Sequence, residues 1–181
     1  MKVVCVTGMP ACGKEEFLKI ARSKGFAVVR MGDVVREEAA KAGIPVKDPD
    51  VGNFANEERK KHGFDIWAKR TLPRISSGLS LVDGVRGPTE LDVYRAAFPN
   101  GLCVVAVHSS PGTRMRRMMK RKRKDDPANE KEFRARDARE LSWGLGDVIA
   151  LADHVIVNEG DLTAYRTQAT ATIEKIISEG R

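Results

Sequence analysis

Short apolar runs alternate along this chain with longer stretches whose apolar positions recur at helical spacing. Val3-Val4-Cys5-Val6 is a continuous run and predicts a buried strand over residues 2–6. Phe17, Leu18 and Ala21 then lie on one side of a helix over 14–24, which Gly25 caps. Phe26-Ala27-Val28-Val29 predicts a second strand, and Gly32-Asp33 opens a helix carrying Val34, Val35, Ala39 and Ala42. Residues 44–53 are polar and turn-rich and read as a loop. A polar helix over 54–62 follows, then another from Phe64 toward Ser76 that Pro73 should kink or end. Leu79 to Val82 predicts a third strand ending in Asp83-Gly84, and Pro88 opens a helix with Leu91, Tyr94, Ala97 and Phe98 on one face. Leu102 to Val107 predicts a fourth strand. Pro111 opens a helix whose Met115, Met118 and Met119 face inward, interrupted at Asp125-Asp126-Pro127. A helix over 130–141, a short one with Val148, Ile149 and Leu151, and a fifth strand at Val155-Ile156-Val157 come next. The last helix packs Leu162, Tyr165, Ala169, Ile173, Ile176 and Ile177 on the core, with Gly180 as its stop.

Such alternation of strand and helix argues for an α/β fold with a parallel sheet covered on both faces. Ligands of these sheets bind outside the carboxyl ends of the strands. The length of 181 residues fits one domain, 1–181, and 41 % apolar content is enough for its core. Lys and Arg number 32 against 25 Asp and Glu, and the net charge of +7 favours nucleotides or nucleic acid as partners. Cys5, Cys12 and Cys103 show no paired metal spacing and fit a reducing compartment. No signal peptide and no membrane span are expected, so the sequence predicts a cytoplasmic protein without a membrane partner.

Gly8-Met9-Pro10-Ala11-Cys12-Gly13-Lys14 joins the first strand to the first helix. Strand, glycine-bounded loop, lysine and helix form the phosphate-binding P-loop arrangement. Two glycines let successive backbone N–H groups converge on an anion, and the helix start adds its positive end. Lys14 supplies a full charge for the outer phosphates. Residues 8–14 are thus candidate nucleotide-binding residues. The pattern expects Ser or Thr next, to hold Mg²⁺, but Glu15 and Glu16 follow. Glu15 either repels the phosphates or helps to bind the metal.

Four further motifs sit at predicted strand ends or turns. Met31-Gly32-Asp33-Val34-Val35-Arg36 puts a cation on the first turn of a helix, where the dipole disfavours it. Arg36 is therefore either a phosphate ligand or an ordinary exposed arginine. In Leu81-Val82-Asp83-Gly84-Val85-Arg86 the strand-terminal Asp83 resembles a Walker B carboxylate for Mg²⁺, and Arg86 can fork onto a phosphate. The plain alternative is an Asp-Gly turn. Residues 114–124, RMRRMMKRKRK, hold eight basic side chains in eleven. Most of the lysines read as a solvated face. Arg117, Arg121 and Arg123 read as surrounding transferring phosphates, and Arg134, Arg136 and Arg139 return on the next helix to make a closing lid. A nucleic-acid reading of this run lacks interleaved aromatics and is not favoured. Finally, Val155 to Gly160 ends a strand in Asn158-Glu159-Gly160, either a cradle for adenine or a simple turn.

The segments GMPACGK (8–14), MGDVVRE (31–37), VDGVR (82–86), AVHSSP (106–111), RDAREL (136–141) and GDVIALADHVIVNEG (146–160) together resemble nucleoside monophosphate kinases. They are most similar to the archaeal adenylate-kinase-related, P-loop kinase-like family. The resemblance implies a P-loop three-layer α/β/α fold with a five-stranded parallel sheet in the order 2-3-1-4-5. It also implies an acceptor-binding insertion near 33–75 and a lid near 115–135. ATP would be the donor, bound by residues 8–15, Arg117, Arg121 and Asn158. Asp33, Arg36, Gly84 and Arg86 would bind the acceptor, and Asp83 would hold Mg²⁺. Lys14, Arg86, Arg123 and Arg136 would be catalytic. Adenylate kinases carry Gly after the lysine and so also lack a hydroxyl there. The segment ADHVIVNEG is similar to the end of dephospho-coenzyme A kinases as well. The expected activity is phosphoryl transfer from ATP–Mg²⁺ to a nucleoside monophosphate, AMP foremost. A dephospho-coenzyme A-type kinase is the alternative, as is a nucleotide-binding, RNA-associated module with little turnover.

Overall fold

The apolar runs become the strands of one sheet. β1 (Lys2–Thr7), β2 (Ala27–Arg30), β3 (Leu79–Asp83), β4 (Leu102–His108) and β5 (His154–Val157) lie in the order β2-β3-β1-β4-β5, and every pair is parallel. This computed structural model describes residues 1–45, 48–76, 78–121 and 126–179. Its helices are α1 (Lys14–Ser23), α2 (Met31–Lys41), α3 (Asp48–His62), α4 (Ile66–Thr71), α5 (Pro88–Ala97), α6 (Pro111–Arg121), α7 (Glu130–Ser142), α8 (Leu145–Ala150) and α9 (Leu162–Ser178). The expected stop at Gly180 falls outside the described residues.

The central strand shows why its run is apolar throughout. Successive side chains of a strand point to opposite faces, and both faces of β1 are covered. Val4 and Val6 join Phe17 and Leu18 of α1 and Ile173 and Ile176 of α9. Val3 and Cys5 join Val34 of α2, Trp67 of α4, Leu91 and Tyr94 of α5 and Val148 of α8. Each fully buried side chain of this size contributes about 1.5–3 kcal/mol. Burial drives the Cys5 thiol well above its ordinary pKa and pushes Cys103 up to about 12, so both behave as small apolar groups. Among the described residues, no helix is long and apolar enough to cross a membrane.

Three expectations need correction. Residues 48–53 are the first turns of α3, not part of a loop. Val51, Phe54 and Ala55 stand at i, i+3 and i+4 and pack toward Trp67, whose Nε1 donates to Ala55 O at 3.2 Å. This stripe outweighs the turn-forming composition of the segment. The helix expected over 64–76 is shorter. It runs as α4 and tightens into a 3-10 turn at Leu72–Arg74, which holds Pro73. β2 extends one residue further than the apolar run and so includes Arg30.

Register gathers the strand ends. Asp83 lies beside Val6 on one side and Arg30 on the other, while Thr7 pairs with Ala106 and His108 with Val157. All five carboxyl ends therefore open on one edge of the sheet, where the β1–α1 loop also sits.

Candidate active site

The β1–α1 loop takes a conformation that its glycines permit. Gly8 has φ +140° and Gly13 φ +109°, and Ala11 is also left-handed at φ +64°. A Cβ on Gly13 would overlap Asn158 Nδ2, and one on Gly8 would overlap Val107 O. The loop carbonyls are tied from behind. Asn158 Nδ2 and Ser109 Oγ donate to Cys12 O at 2.9 and 3.1 Å, and Tyr165 Oη donates to Gly13 O at 3.1 Å. Arg117 Nη1 reaches Ala11 O and Cys12 O, and Arg114 Nη1 reaches Pro10 O, each at 3.4 Å. A trans peptide directs N–H opposite to C=O. Bracing these carbonyls therefore turns the amides of Ala11, Gly13 and Lys14 toward the other side, where a cleft of about 740 Å³ opens.

That cleft brings together most residues singled out in the sequence. Pro10 to Glu15 form one wall, and Arg36, Asp83, Gly84 and Arg86 form another. Arg117, Lys120, Arg121 and Arg136 complete it from α6 and α7. Met9 is buried, 8 % exposed, and is not among the residues that line the cleft. Asp33 pairs with Arg36 at the surface. Asn158 is a buried brace of the loop, and Arg117 binds its carbonyl and side-chain oxygens at 2.9 and 3.1 Å. Arg123 lies outside the described residues. Arg134 pairs with Glu130 at the surface, and Arg139 stands over Trp143. Beyond Asn158, a second hollow of about 400 Å³ is bordered by Gly13, Gly160, Leu162 and Tyr165.

Several cleft arginines are already matched with carboxylates. Arg121 Nε and Nη2 donate to Asp126 at 2.8 and 2.6 Å. Arg86 Nε faces Glu140 Oε2 at 3.2 Å. Arg114, one of the residues of the basic run, is not solvated at all. It is 2 % exposed and forks onto both oxygens of Asp137, at 2.8 and 2.5 Å, locking α6 to α7. Met118 is fully buried, as its place on the inner face of α6 requires.

Glu15 has a partner that sequence reading missed. Arg30 Nη2 donates to both of its oxygens, at 2.7 and 2.8 Å. Burial works against the Arg30 charge. The Glu15 hydrogen bond and charge, with the Asp83 and Asp33 carboxylates behind them, outweigh burial and raise its pKa above the ordinary value. The negative charge after Lys14 is thus neutralised from β2. The one available signal was an arginine directly after an apolar run.

Asp83 offers a different feature. Its Oδ1 is buried and has no hydrogen-bond partner among the described residues, while the residue borders the cleft. No group of three or more His, Cys, Asp or Glu side chains among the described residues is placed to hold a metal alone. Mg²⁺ needs no such group, because it commonly keeps waters and substrate phosphates and takes one or two carboxylates. An orphaned carboxylate oxygen beside a phosphate loop fits that ion.

The sheet order, the strand–loop–lysine–helix unit and the cleft above the strand ends define a P-loop kinase fold. A family model described as an AAA domain matches residues 7–134. The chain is 49 % identical over 164 residues to a UPF0200 protein of Thermoplasma volcanium, which covers 90 % of this chain and 91 % of that one. Among solved structures, shikimate kinase from Bacteroides thetaiotaomicron superposes with a TM-score of 0.67 at 14 % identity, over 98 % of both chains. Dephospho-CoA kinase from Campylobacter jejuni superposes with 0.54 at 16 % identity, over 97 % of both. At these identities the two enzymes speak for the fold. The chain belongs to the family that the AAA-domain model describes and to the UPF0200 proteins, archaeal P-loop kinase-like chains.

Proposed function

We propose that this protein transfers the γ-phosphoryl group of ATP–Mg²⁺ to a nucleoside monophosphate, with AMP as the acceptor. One observation carries the reading. A single cleft is lined both by the Pro10–Lys14 loop and by Arg36 and Arg86, together with Asp83 and Arg30. Two phosphate-bearing molecules bound end to end need that arrangement; one nucleotide does not.

In this reading the amides of Ala11, Gly13 and Lys14 and the Lys14 ammonium hold the outer phosphates of ATP. Asp83 Oδ1 would hold Mg²⁺, which supplies charge neutralisation between the phosphates. The hollow beyond Asn158 would take the donor base. Arg36 and Arg86 orient the acceptor, whose own phosphate oxygen attacks the γ-phosphorus as the bond to the ADP oxygen breaks. Arg121 and Arg136 neutralise the equatorial oxygens, and Arg121 exchanges Asp126 for phosphate as α6 and α7 close on the cleft. No nucleophile or general base from the protein is required. Catalysis is positioning plus charge stabilisation, and removing one preorganised donor of this kind costs about 10²–10³ in rate.

The test is γ-labelled ATP and Mg²⁺ offered to a panel of nucleoside monophosphates and to dephospho-coenzyme A. Label appearing in ADP formed from AMP supports the proposal. Label in the coenzyme alone moves the protein to another acceptor class. Tight ATP binding with no transfer to any acceptor refutes a kinase. Reversing the charge at Arg36 (Arg36→Glu) should raise the acceptor KM at least about tenfold and leave ATP affinity nearly intact.

A further inference from the structure

Arg86 has a setting that its motif does not explain. Its backbone N–H donates to Glu90 Oε2 at 2.7 Å. The other oxygen of Glu90 accepts from Arg59 Nη2 of α3 at 3.1 Å, and both of these side chains are almost fully buried. The Arg86 guanidinium lies 5.2 Å from the centre of the Trp143 ring, and that of Arg59 lies 4.8 Å from the same ring. Glu140, on the last turns of α7 and 4 % exposed, takes the Nε of Arg86 at 3.2 Å. Arg86 itself remains 41 % exposed and borders the cleft.

A guanidinium has two usable edges. A carboxylate on the Nε side and an indole against the plane remove most of its rotational freedom. Among the described residues no ion-pair partner meets its terminal edge, and that edge belongs to a cleft residue. The carboxylate that imposes this is deeply buried. Burying a carboxylate is costly unless it is paired, and Arg86 supplies a cation to Glu140.

Resting on the kinase reading, we propose that Glu140 is a positioning residue for Arg86. It aims the free edge of that guanidinium at the acceptor phosphate and couples the acceptor end of the cleft to α7. Arg59, through Glu90 and Trp143, ties α3 into the same unit. A movement of α7 toward the cleft therefore carries Arg86 with it, and acceptor affinity depends on a residue that need never touch the acceptor.

The experiment compares wild type with Glu140→Gln, which keeps the shape and removes the charge, and with Glu140→Ala. Acceptor KM, kcat, ATP affinity and melting temperature are measured. Intrinsic fluorescence is followed during AMP titration without ATP. Trp143 lies against Arg86 and reports the acceptor end, whereas Trp67 is fully buried in the core; a Trp143→Phe control identifies the responding signal. The expected result for Glu140→Gln is an acceptor KM raised about tenfold, a lowered kcat, and ATP affinity within about twofold of wild type. The AMP-dependent fluorescence change should shift to about tenfold higher AMP. If Glu140→Ala fails to fold, the Gln variant alone is read. Unchanged KM and an unchanged AMP titration in Glu140→Gln overturn the positioning role while a transferring wild type leaves the kinase reading standing. If wild type transfers nothing, the kinase reading has failed. The AMP titration then decides the role of Glu140 by itself: a shifted curve supports it, and superimposed curves, or no response, overturn it.

Discussion

Replacing Arg30 with methionine should expose the cost of carrying Glu15 beside a phosphate loop. Methionine keeps much of the apolar stem and removes the charge. In the native chain Arg30 contacts both Glu15 oxygens, at 2.7 and 2.8 Å, yet the two side chains are 28 % and 44 % exposed. Such a pair is screened, and its own contribution to folding should be within about 1 kcal/mol. The larger effect falls on ligand binding. A bare carboxylate about 6 Å from one phosphate charge costs about 0.7 kcal/mol in water and about 3 kcal/mol at an effective dielectric of 20. ATP affinity should then fall between about threefold and about a hundredfold, with melting temperature little changed. Titration calorimetry with ATP–Mg²⁺ at two salt concentrations is the assay, and the loss should shrink at high salt. Glu15→Gln in the Arg30→Met background should restore most of the affinity, and by itself should tighten binding. This cycle isolates the coupling between the two positions. If Arg30→Met binds ATP at low salt as tightly as wild type, or if Glu15→Gln restores nothing, Arg30 is not the counterweight inferred above.

Gly13→Ala should lower both folding stability and ATP affinity, because φ +109° disfavours any side chain and the new Cβ would push Asn158 off Cys12 O. A loss of about 2 kcal/mol or more in urea denaturation is expected, and a stability equal to wild type would sink the brace argument. Glu159 ties the start of α6 to the end of β5. The Ser110 backbone N–H, then the Thr113 and Ser110 hydroxyls, hold its pKa below the ordinary glutamate range. Because the folded-state value is depressed, the stabilisation is present above the unfolded pKa and disappears as pH falls through the folded one. Glu159→Gln should therefore melt below wild type at pH 7, and the gap should close in acid below about pH 4. A gap that is constant between pH 7 and pH 3 would contradict this.

Locally encoded features were readable before any coordinates. Val3 to Val6 read as a strand buried on both faces, and two glycines bracketing a loop before Lys14 read as a backbone suited to an anion. Asp83, Arg36 and Arg86 likewise stood out as candidates, Asp83 because it ends β3 and the two arginines because each follows a strand end within a short motif. Where local composition and packing disagreed, as over residues 48–53, the stripe formed by Val51, Phe54 and Ala55 prevailed over the turn-forming residues. Arg114 drew no separate reading within the basic run, and its partner Asp137, which it forks onto, lies 23 residues away.

Chain order and side-chain periodicity thus specified the sheet, its loop and the kinds of charge that line the cleft. Which charge faces which was left open. Arg30 meets Glu15 across two adjacent elements, Glu140 reaches Arg86 from 54 residues further along the chain, and Asn158 holds Cys12 O from the end of the edge strand β5. Pairings of that kind follow from strand register and helix docking, which sum many weak contacts over the whole molecule. No window of residues contains them.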